Sequence, residues 1–391
     1  METHWMYSTF KLNLLGYTIY VVLFFQINNI FAPLNRNKRA LGMLLINRKS
    51  KVQLISELEG ESFKRVTLSF YRYVYLNQPQ EFRDQLYLAW GQWHCFGRIY
   101  VAHEGINAQM SVPEEHLQPF LNHLDSVPEL ANMPIKYAVE DDGKSFYKLT
   151  IKVRPKIVAD GLNDHVYDVT NVGTHLEPME FHRLVAEGKA TVIDMRNHYE
   201  SEIGRFENAY CPDADTFREA IEKVVEEFKE QKDEKILLYC TGGIRCEKAS
   251  AYLKHHGFSD VNQLHGGIIA YAHEIKQHGI PSKFIGKNFV FDQRLGESID
   301  GQVIARCHQC GSPSDTHTNC ANHDCHLLFI QCPTCRHEYQ GCCSNDCKSI
   351  IALPLEEQRK LRVLRHEKYA QSKIFKSRLR PNLKQAALSK P

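Results

Sequence analysis

Apolar and polar positions change period several times between residues 64 and 155. Residues 66–76 (VTLSFYRYVYL) are rich in β-branched and aromatic side chains, which predicts a strand. Phe82, Leu86, Ala89 and Trp93 then recur at helical spacing within residues 78–93. Residues 98–102 and 106–112 predict two strands joined by His103-Glu104-Gly105. A second helix over 114–124 starts after Ser111-Val112-Pro113, and residues 135–139 and 146–153 predict further strands. Residues 175–285 follow another rhythm. The short apolar runs 190–194, 235–239 and 261–264 suit buried parallel strands. Helices are expected over 215–230, with Phe217, Ile221, Val224, Val225 and Phe228 on one face, and over 246–256, with Gly257 just past its end. A third starts at Ile268, after Gly266-Gly267.

The first order, β-α-β-β-α-β, predicts a ferredoxin-like α+β domain over residues 61–160. The second predicts a parallel α/β domain over 175–285, its sheet covered on both faces. A length of 391 residues agrees with two or three domains. The remaining segments are an N-terminal extension (1–60), a Cys-rich module (300–350) and a tail (351–391). Residues 12–35 carry no charge and are mostly apolar up to Ala32, long enough to span a bilayer. Arg36, Lys38 and Arg39 would then leave the rest of the chain in the cytoplasm. The reading preferred here is a start placed too far upstream, with Met43 beginning a protein that does not meet the membrane.

Charge and cysteines refine this picture. The formal net charge of +2 names no partner. Residues 348–391, however, hold twelve Lys/Arg and three Asp/Glu, a net of +9, which leaves −7 for residues 1–347. Arg359, Lys360, Arg362, Arg365, Lys373, Lys376, Arg378 and Arg380 suit an arm that binds RNA phosphates. Of thirteen cysteines, an odd number that excludes a fully paired monomeric disulfide framework, nine fall between Cys307 and Cys347.

The chemistry concentrates at KILLYC-TGGIR-CEKASAYL, residues 235–253. A buried strand ends at Cys240 and a helix begins a few residues on, the position at which parallel sheets bind ligands. Gly242 and Gly243 allow backbone conformations closed to other residues, so successive N–H groups can point at the Cys240 sulfur. The helix N-terminus and Arg245 add positive charge. A reactive thiolate at Cys240 is expected. Cys246, one turn into the helix, is a candidate resolving thiol or a small residue facing the sheet.

The stretch Cys240-Thr241-Gly242-Gly243-Ile244-Arg245 resembles the active-site loop of rhodanese domains, in which the first cysteine carries a persulfide cradled by backbone amides. Asp194-Met195-Arg196 resembles their D-x-R, Gly266-Gly267 their late double glycine, and residues 204–209 their G-H-I-x-G-A turn, with Glu207 read in place of the glycine. Related phosphatases place five residues between Cys and Arg. The four here suit a sulfur-sized anion better than phosphate.

The tail cysteines, Cys307-x2-Cys310-x9-Cys320-x4-Cys325-x6-Cys332-x2-Cys335 with Cys343 and Cys347, fit two tetrahedral Zn²⁺ sites. The pairing expected is Cys307, Cys310, Cys320 and Cys325 for one site, and Cys332, Cys335, Cys343 and Cys347 for the other. A cross-braced pairing is equally open. Disulfides and an iron–sulfur cluster are the alternatives, and the reactive-thiol loop argues for a reducing, cytoplasmic setting.

Taken together, residues 62–375 resemble the bacterial tRNA uridine hydroxylase family of rhodanese-like enzymes. The motifs that carry the resemblance include Ala102-His103-Glu104-Gly105-Ile106-Asn107-Ala108, Asp141-Asp142-Gly143-Lys144-Ser145-Phe146, Asp194-Met195-Arg196-Asn197-His198-Tyr199-Glu200 and Cys307-His308-Gln309-Cys310-Gly311. The resemblance implies conversion of the wobble uridine, position 34 of tRNA, to 5-hydroxyuridine. Molecular oxygen is the implied co-substrate, with a reductant the sequence does not identify, and no partner protein is implied. Cys240 and Arg245 would carry the chemistry, while His103, Glu104, Asn107 and Lys144 are candidate RNA contacts. The competing activity is a rhodanese-type sulfurtransferase; a non-enzymatic RNA-binding adaptor is a third reading.

Overall fold

Side chains alternate across strand β3, Arg65–Tyr73, and the alternation sorts two environments. Leu68 and Phe70 join Trp90, Ile99, Ala108, Met110 and Phe120 in a buried core. Thr67, Ser69 and Tyr71 face the other way, into a cavity. The computed structural model describes residues 6–14, 17–25, 49–163 and 166–369. By packing, the chain divides into residues 1–50 and residues 51–391. In the first unit, β1 (Met6–Leu14) and β2 (Tyr17–Phe25) pair as an antiparallel hairpin. The described part of the apolar run at 12–35 is therefore extended. No helix among the described residues is long and apolar enough to cross a membrane. Residues 26–35 and Met43 lie outside the described residues.

The second unit opens with α1 (Lys51–Glu59) and β3, followed by α2 (Pro79–Gln92), β4 (Phe96–Ala102), β5 (Gly105–Pro113), α3 (Leu117–Ser126), β6 (Lys136–Tyr137) and β7 (Leu149–Val153). The sheet order is β6-β3-β5-β4-β7. All neighbours are antiparallel except β4 and β7. The expected ferredoxin-like order is present, with β7 added at one edge. Asp141 accepts from the Thr67 N–H at 2.6 Å and the Thr67 hydroxyl at 2.8 Å, so the Asp-Asp-Gly-Lys-Ser segment latches the start of β3.

The second domain runs β8 (Thr174–Leu176), α4 (Pro178–Glu187), β9 (Thr191–Asp194), α5 (His198–Ile203), β10 (Gly204–Phe206), α6 (Phe217–Glu227), β11 (Ile236–Tyr239), α7 (Ile244–His255), β12 (Val261–Leu264) and α8 (Gly267–His278). Its sheet, β8-β12-β11-β9, is parallel throughout. Strand alternation assigns two cores: Ile236, Leu238 and Cys240 pack beneath α6 and α7, while Leu237 and Tyr239 pack beneath α4 and α8. The β8, α5 and β10 elements are not marked by the apolar pattern, because runs of three to six residues are too short to show a period; α4, ten residues long, is a helix that the sequence reading did not place. The turn after β10 also corrects the sequence reading: Asn208, at φ 57°, holds the left-handed position, not Glu207. Asn tolerates that conformation where most residues do not.

Strands β13 (Phe284–Asn288) and β14 (Glu297–Ser298) extend β10 into a small antiparallel sheet. The Cys-rich module follows: a hairpin of β15 (His317–Asn319) and β16 (Leu328–Ile330), then α9 (Pro333–Glu338) and α10 (Asn345–Ile351). α11 (Leu355–Tyr369) begins the basic tail, whose residues 370–391 lie outside the described residues.

Candidate functional site

Strand β11 is an interior strand of the parallel sheet, and Cys240 leaves its carboxyl end fully buried. Gly243 takes φ +99° as the cap of α7, a conformation that favours glycine. That turn directs its N–H to the Cys240 sulfur at 3.1 Å. Gly242 does not share the left-handed backbone, contrary to expectation; an added Cβ there would meet only the Lys136 side chain, at 3.8 Å. Its small size leaves room rather than permitting a turn. The late double glycine supports the loop from behind. A Cβ on Gly267 would come within 2.6 Å of the carbonyl oxygens of Cys240 and Thr241. This close approach lets the Ile268 and Ile269 N–H groups bond those carbonyls at 3.0 and 3.2 Å.

Burial pushes the Cys240 thiol up, but the other contributions outweigh it. The Cys246 thiol donates to it, the Arg245 charge lies beside it, and the N–H groups of Arg245 and Cys246 point at it, bringing its pKa to about 6. Cys246 is pushed the other way, by burial and by donating to Cys240. It is thus a protonated partner of the thiolate. Arg245 is itself held: its two terminal nitrogens reach both oxygens of Glu200 at 2.6 and 2.9 Å. Glu200 is the third residue of α5, where it also closes a capping box with Asn197. The Asn-x-x-Glu spacing signals the cap; nothing in it signals Arg245.

The wall opposite the loop is the ferredoxin-like sheet. The Tyr71 hydroxyl donates to Glu247 at 3.1 Å, and the Tyr73 hydroxyl to the Ile244 carbonyl at 3.3 Å. Lys136 sets its ammonium 4.6 Å from the Tyr71 ring centre. Between loop and sheet lies a cavity of about 450 Å³, lined by Cys240, Tyr71, Tyr100, Asn107, Gln109 and Lys136 among others. Of the four candidate RNA contacts, only Asn107 lines it; its amide also donates to the Ile157 carbonyl at 3.3 Å. Glu104 bonds the Ile157 N–H at 2.7 Å and Lys248 at 2.8 Å, tying the two domains together. His103 contacts the Leu76 carbonyl at 2.9 Å and stacks on Tyr75, while Lys144 projects from an exposed turn. Asp194 and Arg196 form a buried pair that braces Gly204 and Tyr239 rather than facing the cavity. Tyr71, Lys136, Glu200 and Glu247 are site residues that sequence reasoning missed. For Tyr71 the visible trace was the aromatic content of β3, and Glu200 stood at the end of the Asp194–Glu200 motif with no role assigned to it.

The tail cysteines gather in two groups: Cys307, Cys310, Cys332 and Cys335, and Cys320, Cys325, Cys343 and Cys347. The pairing is cross-braced, which corrects the sequential pairing considered first. The β15–β16 hairpin folds the second Cys-x-x-Cys back onto the first, so neighbours in sequence are not neighbours in space. In each group the ligand atoms lie within 4.8 Å of one another. The Cys310–Cys332 sulfurs are 3.6 Å apart, and Cys343 lies 3.7 Å from both Cys325 and Cys347. Four thiolates at about 2.3 Å from a tetrahedral Zn²⁺ have sulfurs about 3.8 Å apart, so the groups fit zinc. Cys342, buried, belongs to neither.

Three family models match the chain. They are a UPF0176 acylphosphatase like domain over residues 65–157, a rhodanese-like domain over 177–274 and a "Rhodanase C-terminal" segment over 285–348. Among curated relatives, a tRNA uridine(34) hydroxylase of Leptospira interrogans is 54% identical over 340 residues, covering 87% of this chain and 92% of its own. The tRNA uridine(34) hydroxylase of an Enterobacter species is 52% identical, covering 87% and 97%. That of Escherichia fergusonii is also 52% identical, covering 88% and 97%.

Proposed function

Because the chain belongs to the tRNA uridine(34) hydroxylase family, we propose that it hydroxylates C5 of the wobble uridine of tRNA, with Cys240 as nucleophile. The observation that carries this reading is a thiolate, poised at a pKa of about 6, on the wall of a cavity of about 450 Å³. That volume is within the usual range for small-ligand pockets, about 300–1,000 Å³. An anticodon base is already single-stranded, so flipping it into the cavity costs less than from a duplex. Tyr71 and Tyr100 supply aromatic lining for such a base, and Asn107 and Gln109 supply amides for its polar edge.

In this mechanism the Cys240 sulfur adds to C6 of uracil, leaving carbanion character at C5. One atom of molecular oxygen bonds to C5 and becomes its hydroxyl, while the C5 hydrogen stays in place. The other leaves as water, which takes two electrons and two protons from a separate reductant. Loss of the C5 proton and of the sulfur restores the ring double bond and frees the thiolate. Arg245 and the loop N–H groups hold the departing sulfur's charge. Two Zn²⁺ ions, on Cys307, Cys310, Cys332 and Cys335 and on Cys320, Cys325, Cys343 and Cys347, would fold the module, supplying structure rather than a reaction step. The basic tail would hold tRNA phosphates, and the setting would be the cytoplasm. Removal of residues 370–391, with six Lys/Arg, is expected to weaken tRNA binding and flatten its salt dependence.

The test is nucleoside mass spectrometry of tRNA from a strain lacking this chain and other routes to 5-hydroxyuridine, complemented with native protein or Cys240→Ala. Native protein restores 5-hydroxyuridine and the variant does not. Restoration by Cys240→Ala would rule out the cysteine chemistry. Undiminished cyanide-dependent thiosulfate turnover without any hydroxylation would support a sulfurtransferase instead.

A further inference from the structure

Four cations line the Cys240 cavity: Arg98, Lys136, Arg245 and Arg294. Three are engaged. Arg245 is bound to Glu200, Arg294 pairs with Asp292 and Glu297, and exposed Arg98 reaches the Phe291 carbonyl. Lys136 differs: among the described residues no carboxylate lies in ion-pair contact with it and none accepts a hydrogen bond from it. Its carbon stem passes Gly242 and Gly266, at 3.8 and 3.7 Å from where their Cβ atoms would stand. Its ammonium is held over the face of Tyr71, whose hydroxyl is fixed by Glu247. Burial lowers the Lys136 pKa, and the nearby Cys240 and Glu247 oppose that shift. A half-buried ammonium that rests on a ring, with Cys240 and Glu247 near it but no carboxylate in ion-pair contact, is poised to meet an anion that forms during a reaction.

We propose that Lys136 is a catalytic residue whose ammonium receives O4 of the target uracil and holds the negative charge that forms there. This rests on the addition step proposed above. As the sulfur–C6 bond forms, the C5–C6 π pair moves between C4 and C5, and the C4–O4 π pair moves onto O4. No proton leaves and no oxidant is required. The charge on sulfur has become a charge on O4, and Lys136 follows it across the cavity. Arg245, already matched to Glu200, stays with the loop.

Addition can be read without oxygen. In anaerobic D2O the O4 enolate picks up deuterium at C5, and collapse of the adduct leaves uridine one mass unit heavier at position 34. Full-length native protein with a tRNA transcript is expected to give this exchange, and Cys240→Ala none. Lys136→Met, which keeps the stem and loses the charge, should slow exchange at least tenfold, and Lys136→Arg should recover part of it. Melting temperature and tRNA binding are measured alongside, to show that the Met variant is folded and loaded. If Lys136 only packs against the loop, Met should match or exceed Arg, which would overturn the proposal. Should the Met variant fail to fold, Lys136→Gln against Lys136→Arg gives the same ordering test. Native protein that exchanges no deuterium removes the addition step, and this inference with it. Exchange by native protein that Lys136→Met leaves unchanged removes this inference alone.

Discussion

Arg245 grips Glu200 with both of its terminal nitrogens, at 2.6 and 2.9 Å, and the Glu200 carboxylate is completely buried. The pair joins the Cys240 loop to the short helix α5. It also matches much of the guanidinium charge before any substrate arrives, so the Cys240 thiolate draws on the Cys246 thiol and the loop N–H groups as well as on the Arg245 charge.

Breaking that pair should be costly. Glu200→Gln preserves shape but leaves a buried cation unmatched, which is expected to cost about 3–5 kcal/mol of stability. Urea unfolding measures it. The double variant Glu200→Gln/Arg245→Met should lose clearly less than the two single losses added together. Strict additivity would mean that the two side chains are not coupled.

Alkylation of Cys240 should report its environment directly. With a folded-state pKa of about 6, the thiolate fraction falls as pH drops through 6 and is nearly complete at pH 7. Iodoacetamide labelling followed by peptide mass spectrometry should therefore plateau near neutrality, while Cys246 stays unlabelled. A rate still climbing between pH 8 and 9 would indicate an ordinary thiol, whose pKa is about 8.5.

The two loop glycines should respond unequally. Gly243→Ala forces a left-handed conformation on a side chain, at roughly 1–2 kcal/mol. Its Cβ would also stand 2.8 Å from the Tyr71 hydroxyl. Hydroxylation should fall sharply with it. Gly242→Ala places its Cβ 3.8 Å from the Lys136 stem, an ordinary contact, and should fold at nearly native stability. Thermal melting of both variants checks the contrast.

Metal analysis should find two zinc ions per chain, one for each four-cysteine group. Cys342→Ser should keep both, while Cys310→Ser should weaken the site it shares with Cys332 and spare the one at Cys320. Elemental analysis after dialysis against a mild chelator separates these cases. Complete stripping should unfold the module, since its buried clusters consist largely of cysteines.

Much of this was legible in the residues because it is local. The β-branched and aromatic content of residues 66–76 marked β3, and the apolar runs at 235–239 and 261–264 marked β11 and β12. A Cys at a strand end, followed by two glycines and an Arg, marked the loop. These signals need only the near neighbours that a strand or a turn supplies. The roles of His103, Glu104 and Lys144 were not legible. Whether such side chains face a cavity, bridge two domains or point into water depends on what folds against them.

The sequence by itself determined the order of the longer strands and most of the longer helices in the two main domains, the Cys240 loop and the eight cysteines suited to metal, because spacing along one chain fixes secondary structure and the donor set. Only the tertiary structure decided that Glu200 holds Arg245, that Tyr71 and Lys136 cover Cys240, and that the cysteines pair across the hairpin. Each of these joins residues 18 to 169 positions apart. Contacts over such distances follow from how sheets, helices and domains pack, and no local pattern encodes them.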